Sequence, residues 1–326
     1  MAILVTGGAG YIGSHVVYGL IEQGQHVIVL DNLSSGFCEA VAEQAKLVVG
    51  DVGDADLVSR LIAEHGIDEI MHFAASTVVP ESVAKPVAYY RNNTVNSLAL
   101  VDAAISGGVR RFVFSSTAAV YGNPAAELVS EDVAPRPMSP YGTSKLMTEM
   151  MLRDAASASG LSYVVLRYFN VAGADPKLRT GQSTRAATHL IKVAVQAALG
   201  LRDGMEIYGT DYPTPDGTCI RDYIHVCDLV SAHIKALDHL RGGGASATLN
   251  CGYGHGSSVH EIIAAVRRVS CSDFAAEPRP RRAGDPAAVV ADSTQLRELL
   301  SWAPAYDDLD TIVAHALAWE RKLKLQ

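Results

Sequence analysis

The chain lacks several features that would point to other protein classes. It has five cysteines in 326 residues, Cys38, Cys219, Cys227, Cys251 and Cys271, and no two form a CxxC pair. That spacing supplies neither a disulfide framework nor a zinc knuckle, so reduced thiols and no metal site are expected. Positive charge is in the minority: 27 Lys and Arg against 35 Asp and Glu leave a formal charge of −8. A nucleic-acid binder needs a basic footprint, which this balance does not provide. No apolar run approaches the roughly eighteen residues that cross a bilayer, so no membrane partner is expected. No basic segment precedes the first apolar run, so a cytoplasmic location is expected. What remains, 48% hydrophobic and 19% charged residues, is the balance of a globular protein of one large or two modest domains.

The informative stretch comes first. Ala2-Ile3-Leu4-Val5-Thr6 is an apolar run of strand length, followed at once by Gly7-Gly8-Ala9-Gly10-Tyr11-Ile12-Gly13. A helical pattern from Ser14 leads past Gly24 to a second apolar run, His26 to Leu30, which ends on Asp31. Strand, glycine turn, helix, strand and acid in this order form the dinucleotide-binding arrangement. The glycines allow a tight turn and close backbone approach to a pyrophosphate, which then sits on the positive end of the helix. Asp31 suits the adenosine ribose hydroxyls and repels a 2′-phosphate, favouring NAD over NADP.

Further apolar runs end at Asp51-Val52, Phe73-Ala74-Ala75 and Ser115-Ser116-Thr117, with helical patterns between them, including one long helix over 85–107. Strands alternating with helices imply a parallel sheet with right-handed crossovers, whose ligands lie beyond the carboxyl ends of the strands. The proline-bearing stretch 121–140 reads as a surface loop, a helix is expected from Ser139 to about Ser159, and a buried strand over 161–168. Beyond Asn170 the segments 173–188 and 203–218 read as mostly loop, with helical runs between and after them. The expected fold is therefore α/β. A Rossmann-type doubly wound parallel sheet over 1–170 binds NAD, and a smaller α/β lobe over 171–326 covers it, with some segments returning to the first part.

Tyr141 and Lys145 lie four apart at a helix start, on one face. Such a pair arises readily by chance. Its weight comes from following a dinucleotide sheet and a Ser/Thr cluster at a strand end. A phenol with a pKa near 10 is a poor base at neutral pH, and a neighbouring ammonium and a cationic nicotinamide both favour its phenolate. Thr117 can offer a hydroxyl to a substrate oxygen. His72, His189, His225 and Asn250 are polar groups in apolar runs, for which a satisfied structural role is the plainer reading. The Gly252, Gly254 and Gly256 series reads as a turn.

These segments resemble the extended short-chain dehydrogenase/reductase family, and its nucleotide-sugar epimerases in particular, over essentially the whole chain. The resemblance rests on the glycine turn from Thr6 to His15, Asp31-Asn32-Leu33, His72-Phe73-Ala74-Ala75, the Ser115 to Gly122 run and Ser139-Pro140-Tyr141-Gly142-Thr143-Ser144-Lys145. Arg167-Tyr168-Phe169-Asn170, Arg221-Asp222-Tyr223-Ile224-His225-Val226 and Arg281-Arg282-Ala283-Gly284-Asp285 carry it into the second half. The resemblance implies reversible oxidation at C4 of a UDP-hexose through a 4-keto sugar, interconverting UDP-galactose and UDP-glucose. Tyr141, Lys145 and Thr117 are then catalytic. NAD is held by Gly7, Gly10, Tyr11, Ile12, Gly13, Asp31, Asn32, Leu33, Asp51, Val52, Phe73, Ala74, Ala75, Asn92, Tyr141, Lys145 and Phe169. The UDP-sugar is held by Thr117, Asn170, His189, Leu190, Tyr208, Arg221, Arg282, Asp285 and Val289.

Two departures from the family pattern stand out. Thr117 replaces the usual serine, keeping the hydroxyl. Val289 replaces a bulky tyrosine of strict glucose/galactose enzymes, which suggests that N-acetylated sugars are also accepted. Dehydratases and decarboxylases on this scaffold carry an acid after the catalytic hydroxyl, where this chain has Ala118-Ala119. A UDP-pentose 4-epimerase, a net NAD-dependent dehydrogenase and a non-catalytic NAD-sensing scaffold are the other readings. The family usually forms homodimers through the helices at about 85–107 and 141–159.

Overall fold

The apolar runs assemble into one seven-stranded parallel sheet in the computed structural model, which describes residues 2–184, 188–282 and 284–325. Ala283 of the last motif and residues 185–187 of the expected 173–188 loop lie outside the described residues. The strands are β1 (Ala2–Thr6), β2 (His26–Asp31), β3 (Lys46–Val49), β4 (Ile67–His72), β5 (Arg111–Ser115), β6 (Ser162–Tyr168) and β7 (Ala247–Cys251). Their spatial order is β7-β6-β5-β4-β1-β2-β3, and every pair is parallel. The order reverses direction at β1, so the crevice of the switch point opens beside the glycine turn.

Side chains alternate across each strand and feed two cores, one on each face. Ile3, Val5, Val27, Val29, Met71 and Val113 join the core under α1 (Tyr11–Glu22), which packs on a helix of the second half. Leu4, Ile28, Leu30, Ile70, Phe112 and Phe114 face the other way, towards α2 (Ala55–His65), α3 (Asn96–Ser106) and α4 (Pro140–Ala158). Burying one such leucine or isoleucine contributes about 1.5–3 kcal/mol.

The second half carries α5 (Leu190–Ala198), α6 (Val226–Arg241), α7 (Val259–Ser270) and α8 (Leu309–Lys324). Helix α6 is the partner of α1, and Gly19 permits their approach, since a Cβ there would meet Val230 and Ile234 at 2.9 and 3.0 Å. Beyond the main sheet, Ser257–Ser258, Ile220–Arg221, Ala288–Ala291 and Leu128–Val129 form a small four-stranded sheet. Asn170–Ala172 pairs with Tyr223–His225, and Gly204–Tyr208 with Ala275–Arg279.

Two expectations are corrected. The long helix over 85–107 is interrupted: Pro86–Tyr89 and α3 flank a π-helical turn at Tyr90–Val95. The widened turn lets the Asn93 amide bond Ser76 and Ser144. The stretch 121–140 is not all surface loop, because Leu128–Val129 pairs with the strand at 290–291 and Tyr121 is buried. Two-residue strands carry too little periodicity to be read from sequence.

Candidate active site

The glycine turn is built by close contact. Gly7 has φ +72°, and a Cβ there would meet the Ala74 nitrogen at 2.5 Å. A Cβ on Gly13 would meet the Gly7 carbonyl oxygen at 2.2 Å. Both positions therefore require glycine. Helix α1 begins at Tyr11, directly after the turn, and points its N-terminal N–H groups to the same edge. Asp31, buried at the end of β2, accepts the Ala9 N–H at 2.9 Å and the Leu33 N–H at 2.8 Å. Leu33 takes the left-handed region, φ +56°, in the loop after Asp31. Asp51 gathers Asn32 and Asn96 (2.9 and 2.8 Å) along the same edge. A cradle that any Cβ would fill, a helix N-terminus and a buried carboxylate beside it fit a dinucleotide.

Behind the turn runs a buried polar chain that the sequence did not disclose. Thr6 Oγ1 meets His72 Nδ1 at 2.6 Å, His72 Nε2 meets Ser97 Oγ at 2.8 Å, and Ser97 donates to the Asn93 carbonyl at 2.7 Å. Burial drives the His72 imidazole down to about 3, so it is neutral and structural, as its plainer reading held. Asn92, the residue picked from the resemblance, is half-buried beside Asn93 and donates to Ser76 Oγ at 3.0 Å.

Helix α4 starts as its sequence suggests. Ser139 caps it by accepting the Gly142 N–H at 3.2 Å, and Pro140 occupies the first turn. Tyr141 and Lys145 are both buried on one side of the helix, facing the end of β5. Lys145 Nζ donates to the Ser115 carbonyl at 2.9 Å and lies 4.8 Å from the centre of the Phe114 ring. The Thr117 and Tyr168 hydroxyls both interact with the Tyr141 phenol. Burial first, then Tyr168, pushes this phenol well above the usual tyrosine range, and Thr117 opposes them. The sequence led us to expect the Lys145 ammonium to pull it down; in the structure Lys145 donates to the Ser115 carbonyl instead, and Thr117 is the group that lowers the phenol. Burial also drives the Lys145 ammonium down to about 7, against the pull of Glu149.

A cavity of about 690 Å³ opens between residues 77–80 and the second half, and Gly173 in its lining accepts the Tyr11 hydroxyl at 2.7 Å. Asn170, His189, Leu190, Tyr208, Arg221, Arg282 and Asp285 all line it, brought together from five separate stretches of the chain. Arg221 forms an ion pair with Asp285 and donates to the Pro286 carbonyl at 2.8 Å. The Arg282 guanidinium lies over the Tyr208 ring, 3.9 Å from its centre. Tyr141, Lys145, Thr117 and Val289 stand outside that lining. Val289 is buried with Val120, Tyr121 and Phe169. The 252–256 glycine turn has its N–H groups engaged: Asp222 accepts from Tyr253 and Gly254 at 2.9 and 3.0 Å. It is a structural turn.

The NAD dependent epimerase/dehydratase family matches residues 3–252. The chain belongs to this family. Its relatives carry the likeness through both halves. A UDP-glucose 4-epimerase of Azospirillum brasilense is 56% identical over 322 residues, 99% of this chain and 92% of its own. The crystal structure of a Brucella ovis UDP-glucose 4-epimerase in complex with NAD superposes with a TM-score of 0.95 at 44% identity, covering 97% of each chain. The UDP-Glc/GlcNAc 4-epimerase of Campylobacter jejuni is 48% identical with a TM-score of 0.87, covering 98% of this chain and 99% of its own. Among the described residues no helix is long and apolar enough to cross a membrane.

Proposed function

We propose that the chain is an NAD-dependent UDP-sugar 4-epimerase that interconverts UDP-galactose and UDP-glucose. The observation that carries this reading is a glycine cradle and a buried Tyr141–Lys145 pair at the strand ends, with a cavity holding Arg221 and Arg282 whose lining residue Gly173 accepts the Tyr11 hydroxyl. When bound, NAD supplies the hydride acceptor and donor for the sugar C4. Gly7, Gly10 and Gly13 let the backbone approach its pyrophosphate, and Asp31 takes the adenosine ribose hydroxyls. Tyr141 removes the proton of the sugar 4-hydroxyl and returns it, with Thr117 aligning that oxygen and Lys145 supporting the phenolate. Arg221 and Arg282 offer forked donors and charge to the diphosphate. Tyr208 offers a ring face for uracil. We assign 1–170 to cofactor binding and 171–326 to the nucleotide sugar, with α6 and β7 packed back on the sheet.

Acceptance of N-acetylated sugars is part of the same reading. Val289 is buried in one cluster with Phe169, where a tyrosine would take up more room, and the Campylobacter jejuni relative is a UDP-Glc/GlcNAc 4-epimerase. A homodimer is supported by exposed apolar side chains on the helical segments before α3 and on α4: Val83 (63%), Val87 (66%), Val95 (57%) and Met150 (46%). All five cysteines are free, in keeping with a reducing cytoplasm.

The test is to mix purified protein with UDP-galactose, add no cofactor, and follow products by NMR. UDP-glucose forming to equilibrium is the expected result. Conversion of UDP-xylose or UDP-arabinose alone would move the reading to a pentose epimerase. Turnover of UDP-galactose without any of UDP-N-acetylgalactosamine would remove the wider sugar range.

A further inference from the structure

Three residues of α4 stand one turn apart, Tyr141, Lys145 and Glu149, and all three are buried. Three consecutive residues at the end of β5 meet them. Lys145 holds the Ser115 carbonyl, the Ser116 hydroxyl donates to Glu149 Oε1 at 2.5 Å, and Thr117 reaches Tyr141. Behind Glu149 stands Arg167 of β6. Its Nη2 donates to Oε2 at 2.6 Å and its Nε to both carboxylate oxygens at 3.2 Å. Arg167 Nη1 then donates to the Tyr121 hydroxyl at 2.9 Å, and Tyr121 to Asn250 Oδ1 at 2.7 Å.

A buried ion pair is an inefficient stabiliser, because desolvating two charges costs about as much as their attraction returns. This one lies immediately behind the strand end and the ammonium on which the reaction depends. We propose that Glu149 and Arg167 are positioning residues: the pair locks Ser116, and through it the backbone presenting Thr117, while its carboxylate supplies the counter-charge behind Lys145. Lys145 also faces neutral His72 from β4, the Phe114 ring and Ser115 carbonyl from β5, and Tyr141 on the preceding turn. Glu149 is the carboxylate that acts on it. Arg167, reaching in from β6, holds that carboxylate in place through its forked donors.

The experiment is an NMR titration of the purified full-length protein carrying ¹³C-labelled lysine, with the Lys145 signal assigned by its loss in Lys145→Met. In Glu149→Gln, Lys145 is expected to titrate lower by about one unit or more, the usual effect of removing a close opposite charge. The reaction needs the ammonium, so activity is lost as pH rises through the Lys145 pKa. The alkaline limb of kcat therefore moves to lower pH, with KM for UDP-galactose nearly unchanged. A Lys145 signal that titrates as in the wild type overturns the counter-charge role. Ser116→Ala tests the lock independently, including the case in which Glu149→Gln does not fold. A kcat reduced about tenfold at unchanged UDP affinity is expected, and a wild-type kcat overturns it. The rate arms rest on the epimerase reading, whereas the titration does not. A wild-type protein that converts no UDP-sugar removes that reading and leaves the lysine titration to decide this one.

Discussion

Asp31 Oδ2 accepts the backbone N–H of Ala9 at 2.9 Å, so the acid that ends the second strand also braces the glycine turn that follows the first. The same carboxylate takes the Leu33 N–H at 2.8 Å. A carboxylate offers about four acceptor sites, which leaves capacity for a ribose diol. Asp31→Ala should therefore weaken NAD twice over, through the lost ribose contact and a looser turn. Loss of two or more hydrogen bonds to a charged group, each about 1.5–3 kcal/mol, predicts at least a hundredfold rise in Kd by calorimetry. Unchanged NAD affinity would remove Asp31 from the cofactor site.

Tyr141→Phe deletes one hydroxyl from a buried ring and should leave the fold and bound NAD intact. Turnover of UDP-galactose should fall by at least about two orders of magnitude, the usual scale of acid–base catalysis. Near-normal turnover would exclude Tyr141 as the base.

Arg282 and Arg221 hold different partners, the Tyr208 ring and Asp285. Arg282→Ala should raise the Kd for UDP about tenfold or more without changing NAD affinity, since it removes a donor fork and a charge from the diphosphate. Calorimetric titration with UDP reads this directly, and an equal loss of both ligands would point to a folding defect instead.

Four histidines, His15, His72, His225 and His233, are buried, and burial lowers their imidazoles to about 4, 3, 3 and 4. Because the folded values lie below the unfolded value near 6.5, the unfolded chain binds more protons between these limits. Stability is full above about pH 6.5 and is lost as pH falls towards 4. At pH 5 the four together set an upper limit of about 5 kcal/mol lost per pH unit. Denaturant titrations at pH 7, 6 and 5, with proton uptake on unfolding, would show it; stability flat across that range would contradict it.

Val83, Val87 and Val95 are more than half exposed on the segment preceding and entering α3. Val87→Asp should convert a dimer to a monomer in light scattering while leaving far-UV circular dichroism unchanged. A monomeric wild type would overturn the dimer reading.

Much of this protein could be read locally. The β1–α1–β2 unit, the Asp31 terminus, the polar strand ends and the Tyr141–Lys145 stripe all follow from periodicity and turn chemistry within some thirty residues. Glu149 was legible too, at the next turn beyond Lys145, but no local signal said that it mattered. The cavity lined by Asn170, Tyr208, Arg221 and Arg282 was legible only through family motifs, because these residues share no spacing of their own.

What the sequence alone determined is the set of elements whose hydrogen bonds close within a strand, a turn or a helix, together with the glycines that admit a dinucleotide. What tertiary structure decided is everything that depends on strand order. β5, β6 and β7 are neighbours in the sheet although β7 enters some eighty residues after β6, and that adjacency alone joins Glu149, Arg167, Tyr121 and Asn250. The π turn at Tyr90–Val95 and the short strand Leu128–Val129 belong to the same class. Their backbone groups are satisfied by partners far along the chain, and only the folded packing selects those partners.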